Sequence, residues 1–229
     1  MTHSSFLKPA LSGLMAIGLF IIASPAHATN FKVDPEKGNS SMTATFSAPL
    51  GERITAVSTA VSCDLDFTDT GEASGKCSLP LTSINVDNEP DKTDHFQQWA
   101  TNKQSDPAEC AFEFEIESAK TLDLVKPKMP IQMRAVGTFT ICGRKHAKGA
   151  RENLRGAVVL FSPGERGPGR VVKISATIEG FNRDDYKIGP DYTSGWLARV
   201  QKLADVVGHE GTIELNLFAY EAAKQASAN

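Results

Sequence analysis

The segment from Cys110 to Ser118 carries the strictest pattern in the chain. Its apolar residues occupy the even positions up to Ile116, and Glu113, Glu115 and Glu117 lie between them. A period of two residues is typical of a β-strand with one face buried and the other in water. The buried face of such a strand needs other strands to complete a core. The rest of the chain must therefore supply a sheet around it.

Short segments of the same kind recur on both sides of this strand and are separated by turn-forming residues. The predicted segments are 42–46, 54–61, 62–67, 76–84, 131–141, 154–161, 170–178 and 212–220. About nine strands with neighbouring hairpins, without a repeat or a break in composition, favour one all-β domain. An eight-stranded antiparallel barrel is just wide enough to hold one slender ligand. A β-sandwich stays open as the competing architecture.

Two short helices interrupt the strand pattern. A turn from Asn85 leads to Pro90, which suits the first turn of a helix, and Phe96 and Trp99 then fall on one face of that helix. We expect this helix to cover one end of the sheet as a lid on a cavity. A second amphipathic helix is predicted over 194–208, where it either packs on the sheet or also covers the cavity.

The N-terminus reads as a signal peptide over residues 1–28. Lys8 provides a basic start, residues 10–23 are almost entirely apolar, and the sequence from Ala26 to Ala28 has the small-x-small form of a cleavage site. The apolar run is short for a retained membrane anchor, and a lipoprotein would need a cysteine near the cleavage point. The sequence therefore predicts export to the periplasm or the medium, with residues 29–229 as the mature domain.

The charge of the mature chain argues against polyanionic partners. Because Lys8 is the only charged residue of the predicted leader, the mature chain keeps 23 basic residues against 27 acidic ones, a net charge of −4. It contains no block of Lys or Arg. Nucleic acid and anionic lipid head groups are therefore disfavoured as main partners, and an outer-membrane barrel would place Glu113, Glu115 and Glu117 against lipid.

All four cysteines lie in the mature part, where an exported protein can form disulfides. Cys63 and Cys77 flank a turn near Thr70, and each lies on the apolar side of its strand, so they can be cross-strand neighbours. Cys110 and Cys142 flank another turn, but Cys142 falls on the polar side of its strand. A β-bulge could correct that mismatch. We favour these two pairs over a zinc site, which the spacing does not support.

Five motifs spread over the mature chain share an order and spacing with a known family. They are FKVDP at 31–35, SINVD at 83–87 followed by TDHF at 93–96, TFTICG at 138–143, FNRDDYKIG at 181–189 and GTIELNL at 211–217. Together they resemble the YceI family of exported, lipocalin-like proteins over nearly the whole mature length. The chain departs from the family pattern at Tyr186, where Phe is usual, at a displaced Gly189, and in its four cysteines.

The resemblance implies an eight-stranded lipocalin-like barrel with two short capping helices, whose apolar interior holds an isoprenoid or quinone-type lipid. Some family members are encoded with, or fused to, membrane cytochromes of the b561 type. We therefore expect a periplasmic carrier or sequestering protein without a metal, a catalytic residue or a cofactor other than the lipid. The residues expected to line the interior are Phe46, Leu65, Phe67, Phe96, Trp99, Phe112, Phe114, Ile116, Phe139, Phe161 and Trp196.

An enzyme is the second hypothesis. Asp94 and His95 form an adjacent pair of an acid and a histidine, but neighbours on a helix point apart. Arg183 beside Asp184 and Asp185 suggests an acid–base site, yet a surface ion pair at a strand end is the commoner arrangement. None of the common nucleophile, phosphate-loop or metalloprotease motifs occurs. The sequence thus favours a protein that is not an enzyme.

A non-catalytic module that binds another exported protein is the third hypothesis. The stripe of Glu113, Glu115 and Glu117 could form its docking face, although a solvated acidic face is the ordinary reading. In such a module the barrel would be filled by its own side chains. The presence or absence of an internal cavity therefore separates this hypothesis from lipid binding.

Overall fold

The computed structural model describes residues 28–68, 70–102, 105–121, 127–192 and 207–222. Within these ranges the chain forms twelve β-strands, one α-helix and several short 3-10 turns. The strands are Ala28–Val33 (β1), Ser41–Ser47 (β2), Arg53–Ser58 (β3), Ser62–Thr68 (β4), Glu72–Pro80 (β5), Asn85–Val86 (β6), Ala111–Thr121 (β7), Ile131–Ile141 (β8), Arg144–Lys145 (β9), Glu152–Phe161 (β10), Val171–Asn182 (β11) and Glu210–Glu221 (β12). The helix is Pro90–Thr101 (α1).

Eight of the strands close into an antiparallel barrel. Their order around the ring is β1, β4, β5, β7, β8, β10, β11 and β12, and β12 pairs back with β1. Closure satisfies the hydrogen-bonding groups that an open sheet would leave at its edges. The all-β class and the eight-stranded barrel that the sequence favoured over a sandwich are confirmed.

The remaining longer strands form a flap on one end of the barrel. The first half of β12, Gly211 to Asn216, pairs with β2, whereas its last residues pair with β1. β2 then pairs with β3, and β3 with the short β6 that leads into α1. This branch carries α1 to one mouth of the barrel.

Both expected disulfides are present, joining Cys63 to Cys77 and Cys110 to Cys142. Cys63 and Cys77 lie directly opposite each other across β4 and β5. The mismatch at Cys142 is resolved by a left-handed backbone at the end of β8, where its φ is +48°, and not by the bulge that the sequence suggested. The left-handed turn redirects this side chain from the polar side of β8 toward Cys110.

The largest error in the predicted strand boundaries concerns the segment at 76–84. β5 ends at Pro80, and a 3-10 turn over Leu81–Ser83 separates it from β6. The amide of Leu81 donates to the carbonyl of Cys110 at 2.9 Å. The apolar pattern therefore continues into the core after the strand pairing of β5 has ended. The strand predicted from alternation alone therefore extends past the end of β5.

The helix predicted to begin at Pro90 is α1, whereas the helix predicted over 194–208 lies almost entirely outside the described residues. The predicted leader also lies outside them, apart from Ala28 in β1. Among the described residues no helix combines the length and the apolar character needed to cross a membrane.

Candidate functional site

An apolar cavity of about 410 Å³ lies between α1, the flap and one end of the barrel. Its volume falls within the range of about 300–1,000 Å³ that is usual for small-ligand sites. Three of its lining residues, Lys92, His95 and Arg183, carry a charged or titratable side chain. The lining residues are Met42, Ala44, Phe46, Ile54, Ala56, Ile84, Val86, Lys92, His95, Phe96, Trp99, Phe112, Phe181, Arg183, Ile188, Val207 and Ile213.

The cavity exists because the flap presents small side chains to the interior. Ala44 and Ala56 lie opposite each other across β2 and β3, and both line the cavity. Elsewhere the barrel interior is filled by large rings: the centroid of Phe139 lies 5.3 Å from that of Phe114 and 5.8 Å from that of Phe181. The interior is therefore packed around Phe139 and open beneath the flap.

The helix α1 closes the cavity from the outside and is fixed at both ends. Pro90 occupies its first turn, and Asn102 ends it in a left-handed conformation. The guanidinium of Arg144 donates from Nη2 to the carbonyl of Ala100 and from Nε to that of Tyr186, at 3.1 Å for the latter. A cation at the carboxyl end of a helix also complements the helix dipole. Burial lowers the pKa of Arg144 from its usual value.

A carboxylate latch holds the amino end of α1 against the flap. Asp87 accepts a hydrogen bond from the amide of Thr55 at 2.8 Å and another from the ammonium of Lys92 at 2.9 Å. The same ammonium contacts Glu89 at 2.9 Å, and these two carboxylates raise the pKa of Lys92. Partial burial acts to raise the pKa of Asp87, but the Thr55 amide and Lys92 together outweigh it and hold that pKa below its usual value of 3.8.

The latch predicts that α1 is held less firmly in acid. A carboxylate with a lowered folded-state pKa stabilises the fold fully above its unfolded value of 3.8 and loses that contribution as the pH falls through the folded value. Urea denaturation of wild type and Asp87→Asn should therefore differ at neutral pH and converge below about pH 3.8. Asp94→Asn, an exposed change on the same helix, should leave stability within about 0.5 kcal/mol at neutral pH. A wild-type advantage over Asp87→Asn that persists unchanged in strong acid would contradict the latch.

Arg183 forms a buried clamp at the rim of the cavity and not the surface ion pair that the sequence favoured. Its side chain is 5% exposed. Nε donates to the carbonyl of Gly208 at 3.2 Å, Nη1 to that of Ile188 at 2.7 Å and Nη2 to that of Val207 at 3.2 Å. A Cβ on Gly189 would lie 1.9 Å from Nη1, so the glycine there makes room for the guanidinium.

Tyr186 packs behind this clamp. Its ring stacks on Phe181 with the centroids 5.1 Å apart, and its hydroxyl donates to Glu152 at 2.6 Å. Burial and the neighbouring Glu152 carboxylate raise the pKa of Tyr186 far above its usual value. The phenol therefore stays neutral and acts as a fixed part of the wall behind Phe181.

The structure brings four of the eleven sequence-predicted lining residues to the cavity: Phe46, Phe96, Trp99 and Phe112. Phe161 lies outside the barrel interior: it pairs with Val171 and lies under the guanidinium of Arg166, 5.1 Å from its ring centroid. Trp196 lies outside the described residues. The other predicted residues pack in the barrel core without lining the cavity and are Leu65, Phe67, Phe114, Ile116 and Phe139.

The prediction that Phe161 lines the interior is wrong because residue 161 is at an odd position of β10. In β10 the buried residues are Leu154 and Val158, so even positions face inward and residue 161 faces outward. Ile116 borders a bulge in the pairing of β7 with β8, between Ile116 and Ser118, which shifts the alternation that the sequence showed. The side of the strand on which a large apolar side chain lies therefore decides whether it can line the cavity.

Sequence reasoning missed most of the cavity wall. The inward positions of β2 are Met42, Ala44 and Phe46, and the sequence showed their alternation without showing that an alanine there leaves space. Lys92 and His95 could have been found from their spacing relative to Phe96 and Trp99 on the predicted helix.

Two histidine–aspartate pairs that are distant in sequence also meet. Nδ1 of His209 lies 2.5 Å from Asp184, and Nε2 of His146 lies 3.1 Å from Asp185. Nδ1 of His146 accepts the amide of Lys148 at 3.1 Å, so both ring nitrogens of His146 are already engaged. In the described part of the chain no group of three or more His, Cys, Asp or Glu side chains is arranged to hold a metal ion.

Comparison with known proteins gives a structural match without a sequence match. No protein-family model matches the chain, and no curated protein matches it. A solved structure, described as a polyisoprenoid-binding domain from Saccharophagus degradans implicated in plant cell wall breakdown, superposes with a TM-score of 0.57 at 10% identity. The alignment covers 86% of this chain and 100% of that chain. This chain has the fold of a polyisoprenoid-binding domain.

At 10% identity the likeness concerns the fold. The barrel that the YceI resemblance implied is thereby confirmed, and the similar structure is described as that of a binding domain. What the neighbour binds is a property of the neighbour. For this chain, the ligand has to be argued from the cavity itself.

Proposed function

We propose that this protein is an exported carrier or sequestering protein that holds an isoprenoid or quinone-type lipid tail in the cavity beneath α1. The observation that carries the proposal is the cavity of about 410 Å³ with an almost wholly apolar wall, in a fold shared with a polyisoprenoid-binding domain. A protein-docking module with a filled barrel would have no such space. Catalysis finds no support in the arrangement of the described residues.

The physical basis of binding is burial of apolar surface. Each buried CH2 group contributes about 0.8 kcal/mol, so a five-carbon isoprene unit contributes roughly 3–4 kcal/mol before the cost of ordering the chain. A flexible tail of this kind needs walls of suitable shape and few polar contacts. The aliphatic and aromatic side chains around Trp99 provide such walls.

The place of action follows from the leader and the cysteines. A signal peptide over residues 1–28 would export the protein, and two disulfides suit an oxidising compartment. A lipid with an isoprenoid tail resides in membranes, so a carrier of it would exchange the lipid with a membrane component. A cytochrome of the b561 type, as implied by the YceI resemblance, is our proposed partner.

Two phenylalanines provide a matched test of the cavity. Phe96 lines it from α1, whereas Phe161 lies on the outer side of β10. Phe96→Asp places a carboxylate against an apolar tail and should reduce binding at least about a hundredfold, because an unpaired buried charge costs several kcal/mol. Phe161→Asp should bind like wild type. The measurement is co-elution of delipidated protein with a prenylquinone on gel filtration, quantified after solvent extraction.

The outcome of this comparison separates the proposals. Binding by wild type and Phe161→Asp but not by Phe96→Asp supports the cavity. Equal binding by all three would place the lipid elsewhere on the protein. Absence of binding by wild type to any prenyl lipid would contradict the proposed function.

A further inference from the structure

The hairpin formed by β2 and β3 extends beyond the cavity that it lines. Phe46 and Ile54 pair across the two strands, and both line the cavity. The turn that joins the strands, Pro49–Gly51, is exposed and contains no charged residue. At its centre Leu50 is 100% exposed. The flap therefore presents an uncovered leucine a few residues beyond the cavity wall.

The turn holds Leu50 in a backbone conformation that a leucine adopts only with strain. Its φ is +61° and its ψ is 16°, in the left-handed region that Gly and Asn occupy more readily. A large apolar side chain in water also gains nothing from burial, and at full exposure Leu50 buries no surface that would offset the strain. The folded protein therefore bears a conformational cost that a partner covering this side chain could offset.

The turn is fixed to the rim of the cavity. The amide of Ala48 donates to the carbonyl of Glu52 at 2.8 Å and closes the hairpin. The amide of Gly208 donates to the carbonyl of Ser47 at 2.7 Å, and the carbonyl of Gly208 accepts a hydrogen bond from Nε of Arg183 at 3.2 Å. An apolar side chain on a firmly held turn loses little conformational entropy when a partner buries it.

Exposed apolar side chains are concentrated at the cavity end of the barrel. Among the described residues the large ones are Leu50, Val57, Met129 and Tyr192. Val57 lies on β3 of the flap, and Tyr192 ends a short turn that follows the Arg183 segment. Met129 is the exception, because it precedes β8 at the opposite end of the barrel. The exposed apolar surface therefore favours a contact through the cavity end.

We propose that the turn Pro49–Gly51 docks on the surface of a lipid bilayer and inserts Leu50 at the boundary between head groups and acyl chains. This inference rests on the proposed function, because a lipid with an isoprenoid tail resides in a membrane and must reach the cavity beside this turn. A bilayer accepts a protruding apolar side chain without a complementary surface. A protein partner would need about 800 Å² on each side of the interface, far more than three residues provide.

The charges beside the turn fit a zwitterionic bilayer. Glu52 and Arg53 follow the turn directly, are exposed and carry opposite charges. Residues 47–51 contain neither Lys nor Arg. Attraction to anionic lipids depends on clusters of such basic residues. Binding through this turn therefore depends on apolar insertion and should change little with salt concentration.

Flotation of the mature protein with phosphatidylcholine vesicles, at low and at high salt, tests the docking turn. Leu50→Asp should weaken vesicle binding at least about tenfold, because it removes the burial of one leucine side chain. Met129→Asp is the matched control, since it places the same carboxylate at an exposed apolar position on the opposite end of the barrel. This control should bind vesicles like wild type.

A second measurement separates docking from lipid binding, because Leu50 is not among the residues that line the cavity. Both variants should bind a prenylquinone supplied without vesicles as tightly as wild type does, and Leu50→Asp should take it up from vesicles more slowly. Unchanged vesicle binding by Leu50→Asp would overturn the docking turn and leave the proposed function intact. So would a wild-type protein that binds the quinone but not the vesicles.

Two further outcomes are decisive. A dimer that depends on Leu50 in gel filtration, without vesicle binding, would assign the turn to a second copy of the chain and overturn bilayer docking. Vesicle binding that depends on Leu50, in a protein that binds no prenyl lipid, would support the docking turn and contradict the proposed function.

Discussion

Replacement of Ala56 by Phe is expected to abolish lipid binding while the free energy of unfolding stays the same or rises. Ala56 lines the cavity from β3 and lies opposite Ala44. A benzyl side chain at this position would occupy space that the wild-type protein leaves open, and filling a cavity with apolar atoms adds favourable contacts. The tail would then have no place to enter.

The control for this variant is Ala157→Phe, which adds the same side chain at an odd, outward-facing position of β10. Prenylquinone affinity should fall at least about a hundredfold for Ala56→Phe and stay within about threefold for Ala157→Phe, since loss of even two buried isoprene-sized contacts exceeds 2.7 kcal/mol. Chemical denaturation checks the stability of each variant. A stable Ala56→Phe protein that binds like wild type would show that this cavity is not the lipid site.

Replacement of Arg183 by Met is expected to have the largest effect on stability, a loss of roughly 3–5 kcal/mol. The substitution removes the donor for three backbone carbonyls and leaves Asp184 without the nearby charge of the guanidinium. These carbonyls lie near the two ends of the link between β11 and β12, so loss of their donor also loosens the rim of the cavity.

Gly189→Ala tests the same clamp from the other side, because the new Cβ would lie 1.9 Å from Nη1 of Arg183. The glycine also has a φ of +145°, which an alanine adopts only with strain. Arg155→Met, at an exposed position, should change stability by less than about 0.5 kcal/mol. An Arg183→Met protein with a free energy of unfolding within about 1 kcal/mol of wild type, the average effect of a single substitution, would contradict the clamp.

The strands and hairpins could be predicted from the sequence because β-structure depends on short-range patterns of apolar and polar residues. The alternation over 131–141 gives the bounds of β8, and the parity of Cys63 and Cys77 predicts that they face each other. The lid helix follows from Pro90 and from the three-residue spacing of Phe96 and Trp99. Each of these features depends on residues within one element or one hairpin.

The cavity was harder to predict from the sequence because no residue pattern marks a space that side chains leave empty. Reasoning from the sequence selected large aromatic residues, and large side chains such as Phe114 and Phe139 fill a barrel. The open region depends on Ala44 and Ala56 meeting across two strands, a coincidence of register that alternation does not reveal.

Arg183 shows the same limit for polar residues. In sequence it stands beside Asp184 and Asp185, which favours a surface ion pair. In the structure the guanidinium follows the end of β11, lies buried, and donates to carbonyls as far along the chain as that of Gly208. The partners of a buried charge are set by tertiary structure, so its neighbours in sequence are a poor guide to them.

Native mass spectrometry of the mature protein, purified from an exporting host, shows whether the apolar cavity holds an isoprenoid-type lipid. We expect a stoichiometric adduct that dissociates on activation and is identified after solvent extraction as an isoprenoid or prenylquinone. A bare polypeptide mass, with no adduct formed when prenylquinones or polyprenols are supplied, would contradict it.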